Sequence, residues 1–180
     1  MRKIGWVLAA LGSAALVSTA AVQGAAASST DHGHGFRHRS DTVLRFDTMA
    51  PVTGPYVGTA NPLRGVPGGG LPWMIRSAKG SLEHDGRLVV RVRGLVLADE
   101  APVPAALQGT NPLADFQAIV SCQSIGAGGT ATVANVTTGD FTASPAGNST
   151  IVARVKLPRP CIAPIVFVTG PGIWLAATGS

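Results

Sequence analysis

The residues of this sequence best suited to chemistry begin with one histidine between two carboxylates, in the run Glu83, His84, Asp85. A hydrolytic triad needs a nucleophile, an imidazole and a carboxylate that converge. The sequence contains neither a G-x-S-x-G nucleophile elbow nor an H-E-x-x-H metal motif. Neighbouring residues on a strand point to opposite faces, so Glu83 and Asp85 cannot both flank the imidazole on one side. A solvated histidine at a turn is therefore favoured over a catalytic base.

The two cysteines, Cys122 and Cys161, predict a disulfide bond. In an exported chain a bridge is the first expectation, because oxidising compartments hold thiols as disulfides. Closing a loop of about forty residues would stabilise the fold by about 4 kcal/mol on the chain-entropy model. The alternative makes Cys122 a nucleophile with His84 as its base, but exported proteins rarely keep a free thiol.

Four carboxylates, Asp99, Glu100, Asp115 and Asp140, lie in predicted loops or turns. A glycosidase uses two carboxyl groups across a cleft, so a secreted hydrolase built on these loop carboxylates is one hypothesis. Structural roles for Asp in turns are commoner. No Gly-rich phosphate loop stands between a strand and a helix, so no cofactor is expected and no catalytic residue is assigned.

Basic side chains occupy one side of a predicted strand in residues 87–96, and apolar side chains occupy the other. The apolar side comprises Leu88, Val90, Val92 and Val96. The predicted anion-binding face comprises Arg87, Arg91 and Arg93, with Arg154 and Lys156 from a later strand. Such a strip attracts anionic envelope polymers or acidic glycans at low salt. The alternative is the ordinary wet face of an antiparallel sheet, which takes charged residues anyway.

Three aromatic residues, Tyr56, Trp73 and Trp174, are candidates for stacking on sugars. Core packing is the more frequent use of tryptophan, because its large ring buries much apolar area. We therefore expect the two tryptophans in the core.

The elements that must position these residues are predicted to be short strands. Gly and Pro contribute 23 and 13 of the 180 residues, and only 13% of the chain is charged. This composition favours strands joined by turns over helices. The dipeptide Asp85-Gly86 predicts a tight hairpin with a type I′ turn, in which both central residues have positive φ. Eight or nine short strands predict an all-β fold, an antiparallel sandwich or a partly closed barrel.

The chain divides into three predicted parts. Residues 1–27 are typical of a secretory signal peptide, with Arg2 and Lys3 before an apolar stretch and small residues at 25–27. A membrane anchor is the alternative, but Gly, Ser and Thr dilute the stretch and no stop-transfer charges follow. Residues 28–40 predict a disordered spacer, and residues 41–180 the β-sandwich domain. The spacer contains a weak candidate metal site, which comprises His32, His34 and His38.

Within the predicted domain, residues 51–72 are dense in Pro and Gly. They predict a long loop with a short edge strand near Tyr56 and Val57. Loops of this length are often functional or mobile.

The charge balance argues against nucleic acid as a partner. The formal net charge is +5, and it falls to +3 without Arg2 and Lys3, since twelve basic and nine acidic side chains remain. Nucleic-acid binders usually concentrate Lys and Arg with aromatics between them, whereas these charges are scattered and aromatics are few. We predict a secreted, extracellular, non-catalytic binding or envelope-associated module without a stable membrane anchor, with the secreted hydrolase as the alternative. Its partner would be an anionic envelope polymer or a glycan.

Three segments carry a resemblance to known proteins: G-S-L-E-H-D-G-R-L-V-V-R-V-R-G-L-V-L from residue 80, N-V-T-T-G-D-F-T-A from residue 135, and L-P-R-P-C-I-A-P-I-V-F-V-T from residue 157. On these segments the chain resembles a group of small exported proteins of high-GC Gram-positive bacteria that has no assigned activity. The match covers nearly all of residues 71–179, and leaves out the histidine-rich tail and residues 51–72. The resemblance implies an exported β-rich domain and transfers no catalytic residue.

Overall fold

A computed structural model describes residues 41–179. The predicted signal peptide, the spacer and the metal candidates His32, His34 and His38 lie outside this range. Two 3-10 turns occur within it, Gly54–Tyr56 and Ala127–Gly129. Within residues 41–179 no helix has the length and apolarity that spanning a bilayer requires. The strands are β1 (Thr42–Phe46), β2 (Ala50–Pro51), β3 (Trp73–Met74), β4 (Ser77–Glu83), β5 (Arg87–Arg93), β6 (Val96–Leu97), β7 (Asp115–Ile125), β8 (Ala131–Thr137), β9 (Phe141–Thr142), β10 (Ser149–Arg154), β11 (Ile162–Gly170) and β12 (Ile173–Ala177).

The strands form two principal antiparallel sheets. The first sheet has the order β1-β4-β5-β10, and the second has the order β2-β12-β11-β7-β8, with β9 on the free end of β7. A separate two-stranded ladder joins β3 to β6. The all-β antiparallel prediction is confirmed, with eight strands of five or more residues and four of two residues in the described range. The arrangement is an open two-sheet sandwich, not a closed barrel.

Both sheets contribute one face to a single hydrophobic core. In β5 the side chains of Leu88, Val90 and Val92 are buried while the arginines between them are exposed, as the alternation predicts. The second sheet contributes large side chains of β7 and β11 to the same cluster. Its fully buried members from these two strands include Phe116, Val120, Val166 and Val168. The first sheet therefore presents its other face to solvent.

The hairpin between β4 and β5 forms as predicted, but its turn is of another type. Gly86 donates its N–H to the Glu83 carbonyl, so His84 and Asp85 are the central residues. Gly86 has φ +84°, whereas Asp85 is not among the residues with positive φ. The type I′ prediction at Asp85-Gly86 is therefore wrong: a turn followed by a left-handed glycine makes a three-residue loop. Only glycine fits, because a Cβ at Gly86 would overlap the Val155 carbonyl oxygen.

The Pro- and Gly-rich loop, residues 52–72, packs along the second sheet and is called the covering loop below. Val52 and Gly69 donate N–H groups to the Leu175 and Trp174 carbonyls of β12, at 2.8 and 2.9 Å. The Arg64 guanidinium donates to the Ala163 carbonyl at 2.9 Å. The predicted edge strand near Tyr56 is wrong, because residues 54–56 form a 3-10 turn and the short strand β2 precedes them.

The predicted disulfide between Cys122 and Cys161 is confirmed. Cys122 lies on β7 and is fully buried, and Cys161 immediately precedes β11 with its Cα 4.9 Å from that of Cys122. The bridge closes a loop that contains β8, β9 and β10. Because the Cys122 sulfur is bonded, the thiol-nucleophile alternative with His84 is excluded.

Candidate anion-binding face

Basic side chains line the solvent face of the first sheet. The ladder between β4 and β5 places Lys79 directly opposite Arg91, and Arg93 opposite Ser77. On β1, Arg45 is opposite Ser81, which is itself opposite Val89 on the same face. Directly opposed residues of antiparallel strands point to the same side. Three adjacent strands therefore hold exposed cations on one face of the first sheet.

Two of the predicted face residues are already paired with carboxylates. An Arg87 nitrogen is 3.4 Å from a Glu83 oxygen, and an Arg154 nitrogen is 2.9 Å from an Asp85 oxygen. These are the two ion pairs found within residues 41–179. Four other cations on the solvent face of the first sheet have no carboxylate oxygen within 4.0 Å in the described part of the chain. We call these four residues the cationic face: Arg45, Lys79, Arg91 and Arg93.

The cationic face concentrates charge of one sign. Lys79 and Arg91 are opposed across a ladder, and like charges in that position repel each other. An anion placed between them would replace that repulsion by two attractions. Four cations without carboxylate partners can pair with more than one negative charge.

A shallow depression of about 280 Å³ borders the cationic face. Its lining includes Arg91 and Arg93 together with the hydroxyl-bearing Thr142 and Thr150. Asn148 also lines it and accepts a hydrogen bond from the Gly94 N–H at 3.0 Å, which fixes this amide beside the arginines. Guanidinium and hydroxyl groups both donate hydrogen bonds to phosphate or carboxylate oxygens. The depression therefore has the donors that an anionic group needs.

Asp85 is held in its ionised form by the hairpin turn. Its Oδ1 accepts a hydrogen bond from the Arg87 backbone N–H at 2.9 Å, and Arg154 lies beside its other oxygen. The Arg87 N–H, helped by the positive charges of Arg154 and Arg87, holds the pKa of Asp85 below its ordinary value of 3.8 and outweighs the opposing effect of desolvation. The carboxylate thus stabilises the turn and neutralises Arg154.

Replacing this carboxylate by an amide gives a prediction about acid stability. Because the pKa of Asp85 is lower in the folded protein, its charge stabilises the fold above the unfolded pKa and ceases to do so as the pH falls through the folded pKa. Asp85→Asn keeps an oxygen for the Arg87 N–H and removes the charge. We expect the variant to unfold at lower denaturant concentration than wild type at about pH 7, with the difference becoming smaller at an acid pH below the folded pKa. An equal difference at both pH values would contradict this role.

A second basic region lies at the hairpin end, in a groove of about 860 Å³. Its lining includes His84, Asp85, Lys156, Arg159 and Cys161. Lys156 lies two residues beyond the end of β10, so it lines this groove and is not on a strand of the cationic face. His84 is exposed at the turn, and its backbone N–H donates to the Asp41 carbonyl at 2.7 Å. The structure thus separates Lys156 from Arg91 and Arg93, with which the sequence grouped it.

The loop carboxylates are only partly brought together. Asp115 and Asp140 both line a cavity of about 240 Å³, in which Asp140 accepts a hydrogen bond from the Gln117 amide at 2.7 Å. Asp99 and Glu100 are exposed on another loop and line neither this cavity nor the two described above. Residues 41–179 contain no group of three or more His, Cys, Asp or Glu arranged to hold a metal ion.

The aromatic candidates belong to the core and to the covering loop. Trp73 and Trp174 are each 4% exposed, as the core-packing expectation requires. Tyr56 is 46% exposed, and its ring centroid is 6.2 Å from that of Trp174. The Trp174 indole is therefore covered by the protein and presents no stacking surface to a sugar.

The sequence prediction identified Arg91 and Arg93 but missed Lys79 and Arg45. The signal for Lys79 lies in the hairpin register, which opposes it to Arg91. Arg45 shares an alternating strand with the partly buried Leu44 and Phe46, and this marks its side as solvent-facing.

Comparison with protein-family models, curated proteins and solved structures gives no match for this chain. The candidate site therefore depends on the geometry of the chain itself.

Proposed function

We propose that this protein is an extracellular, non-catalytic binding module whose cationic face takes an anionic polymer of the cell envelope or an acidic glycan. The observation that carries the proposal is the set of four exposed cations without a carboxylate partner on three adjacent strands. A paired sheet holds its side chains at fixed spacing, so the protein loses little conformational entropy when a repeating polymer binds. The flat face suits an extended polymer better than a small molecule, which usually needs a concave pocket.

The extracellular part of the proposal has two supports. One is the signal-peptide pattern of residues 1–27. The other is the Cys122–Cys161 disulfide, because such bonds persist mainly in oxidising compartments. Resemblance to exported proteins of high-GC Gram-positive bacteria agrees with both.

The alternative, a secreted hydrolase that uses loop carboxylates, has less support. It needs two acidic groups that face each other across a substrate-sized cleft. Asp99 and Glu100 lie apart from the cavity that contains Asp115. Asp115 and Asp140 line one cavity together, but Asp140 is engaged by Gln117.

A polymer panel tests the proposal. The purified protein is titrated, at low and high salt, with a polyphosphate, a uronic-acid glycan and an uncharged glucan as control. We expect binding to the two anionic polymers that weakens as salt rises, because exposed charges are screened within about 10 Å at 0.1 M salt. Equal binding to the uncharged glucan, or binding that salt does not change, would contradict an electrostatic face. Turnover of any polymer in the same samples would favour the hydrolase.

A further inference from the structure

The second sheet ends in an edge strand, β8, whose outer edge is not paired with another strand within residues 41–179. Its sequence, Ala-Thr-Val-Ala-Asn-Val-Thr, contains no charged residue and no proline. The sheet order places β8 at the end of its sheet, paired to β7 alone. Proteins usually protect such edges with charges, proline or very short strands. The other long edge strands follow that rule, since β1 contains Arg45 and β10 contains Arg154.

Hydrogen bonds at the two ends of the ladder show which backbone groups of β8 are free. Thr138 donates its N–H to Ala118, and Gly126 donates to Thr130, at 2.9 and 2.8 Å. Bonded pairs alternate along an antiparallel ladder, so the even-numbered residues of β8 bond to β7. The odd-numbered residues turn their N–H and C=O groups away from the sheet, and they are Ala131, Val133, Asn135 and Thr137.

Exposed apolar side chains lie next to this edge. Gln123 on β7 is opposite Val133 on β8 and opposite Ile162 on β11. These three side chains therefore lie in one row on one face of the sheet. Ile125 is opposite Ala131 on the same face. Val133 is 44% exposed, Ile162 is 54% exposed and Ile125 is 56% exposed. Three exposed apolar side chains of the described residues thus lie on one face beside the edge strand.

We propose that β8 is a self-association edge that pairs antiparallel with β8 of a second copy of this chain. An antiparallel pair of identical strands is self-complementary, as a twofold dimer requires. With the twofold axis at Val133, that residue faces Val133 of the second copy and Ala131 faces Asn135. Both pairs use outward-facing backbone groups. Strand β8 is uncharged, so two positively charged molecules can pair through it without placing like charges in the interface.

This arrangement also orients the cationic faces, although the inference does not depend on the proposed function. Antiparallel pairing continues a sheet with the same faces on the same sides. The first sheets of both copies therefore lie on one side of the joined second sheets. A dimer would present two cationic faces in the same direction and bind a long polymer bivalently.

The test is the mass of the purified protein by sedimentation equilibrium over a range of concentrations. We expect wild type to reach the dimer mass and Val133→Lys to remain at the monomer mass, because it places two ammonium groups at the twofold axis. The matched control is Val152→Lys, on β10, where the replaced valine is 54% exposed, and it should dimerise like wild type. Circular dichroism and thermal melting check that each variant is folded, and Ala131→Lys replaces Val133→Lys if that variant does not fold.

Three results would overturn the proposal. One is a wild-type monomer at every concentration. Another is a dimer that survives both lysine substitutions on β8, which would place the interface elsewhere. The third is a monomer whose β8 amide resonances shift only when an extended foreign peptide is added, which would make the edge a site for another protein's strand.

Discussion

Replacing both cysteines by alanine is expected to lower the free energy of unfolding by about 4 kcal/mol. The bridge joins residues separated by 39 positions, and the closed loop restricts the unfolded chain more than the folded one. A loss of this size approaches the whole net stability of a modest domain. The Cys122 side chain is fully buried, so alanine at this position also leaves a small void between the sheets.

Denaturant unfolding of wild type and of the Cys122→Ala/Cys161→Ala variant measures this effect. Wild type treated with a reductant serves as the matched control, since it breaks the bridge and keeps both cysteine side chains. We expect both samples to unfold at much lower denaturant concentration than oxidised wild type. If the variant and oxidised wild type share one midpoint, the bridge does not stabilise the fold.

The core of the fold was predictable from alternation in single strands. In β5 every second residue from Leu88 is apolar, and those side chains are the ones that the sandwich buries. The two cysteines predicted their own bridge, because only one pairing exists. These inferences succeed because they depend on one strand or one pair and need no knowledge of how strands align.

The alignment of strands was harder to predict, and one turn shows why. A two-residue loop at Asp85-Gly86 would place Lys79 opposite Val92 and thus toward the core. The observed three-residue loop shifts the register by one position and places Lys79 opposite Arg91. A one-residue shift moves a whole strand face from core to solvent. The error in this one turn therefore accounts for the missing Lys79, but not for the missing Arg45.

The covering loop was the least predictable part. Its Pro and Gly residues indicate irregular backbone, but they do not say where that backbone docks. Its position depends on backbone contacts to β12 and on the Arg64 hydrogen bond to Ala163, which join residues far apart in sequence. Such contacts leave no periodic pattern for a sequence analysis to detect.

Reversing two charges of the cationic face is expected to weaken polyanion binding by about thirtyfold or more. Arg91→Glu/Arg93→Glu removes two attractive contacts and adds two repulsive ones, each worth about 0.5 to 1 kcal/mol at an exposed site. Both arginines are exposed on the outer side of β5, so we expect little change in stability. These residues also line the depression beside Asn148, where the polymer would be most closely held.

A control variant with the same net charge distinguishes binding by the cationic face from attraction to the overall positive charge of the protein. Lys156→Glu/Arg159→Glu reverses two exposed cations in the groove at the hairpin end, away from the cationic face. If only the total charge matters, this variant will weaken binding as much as the first. If the face is the site, it will bind almost as wild type does, because the four cations remain in place.

The most direct measurement is the dissociation constant for polyphosphate of wild type, Arg91→Glu/Arg93→Glu and Lys156→Glu/Arg159→Glu, determined side by side at low salt. We predict a large loss of affinity for the first variant and nearly wild-type affinity for the second. Equal losses in both variants, or no loss in the first, would contradict a binding site on the solvent face of the first sheet.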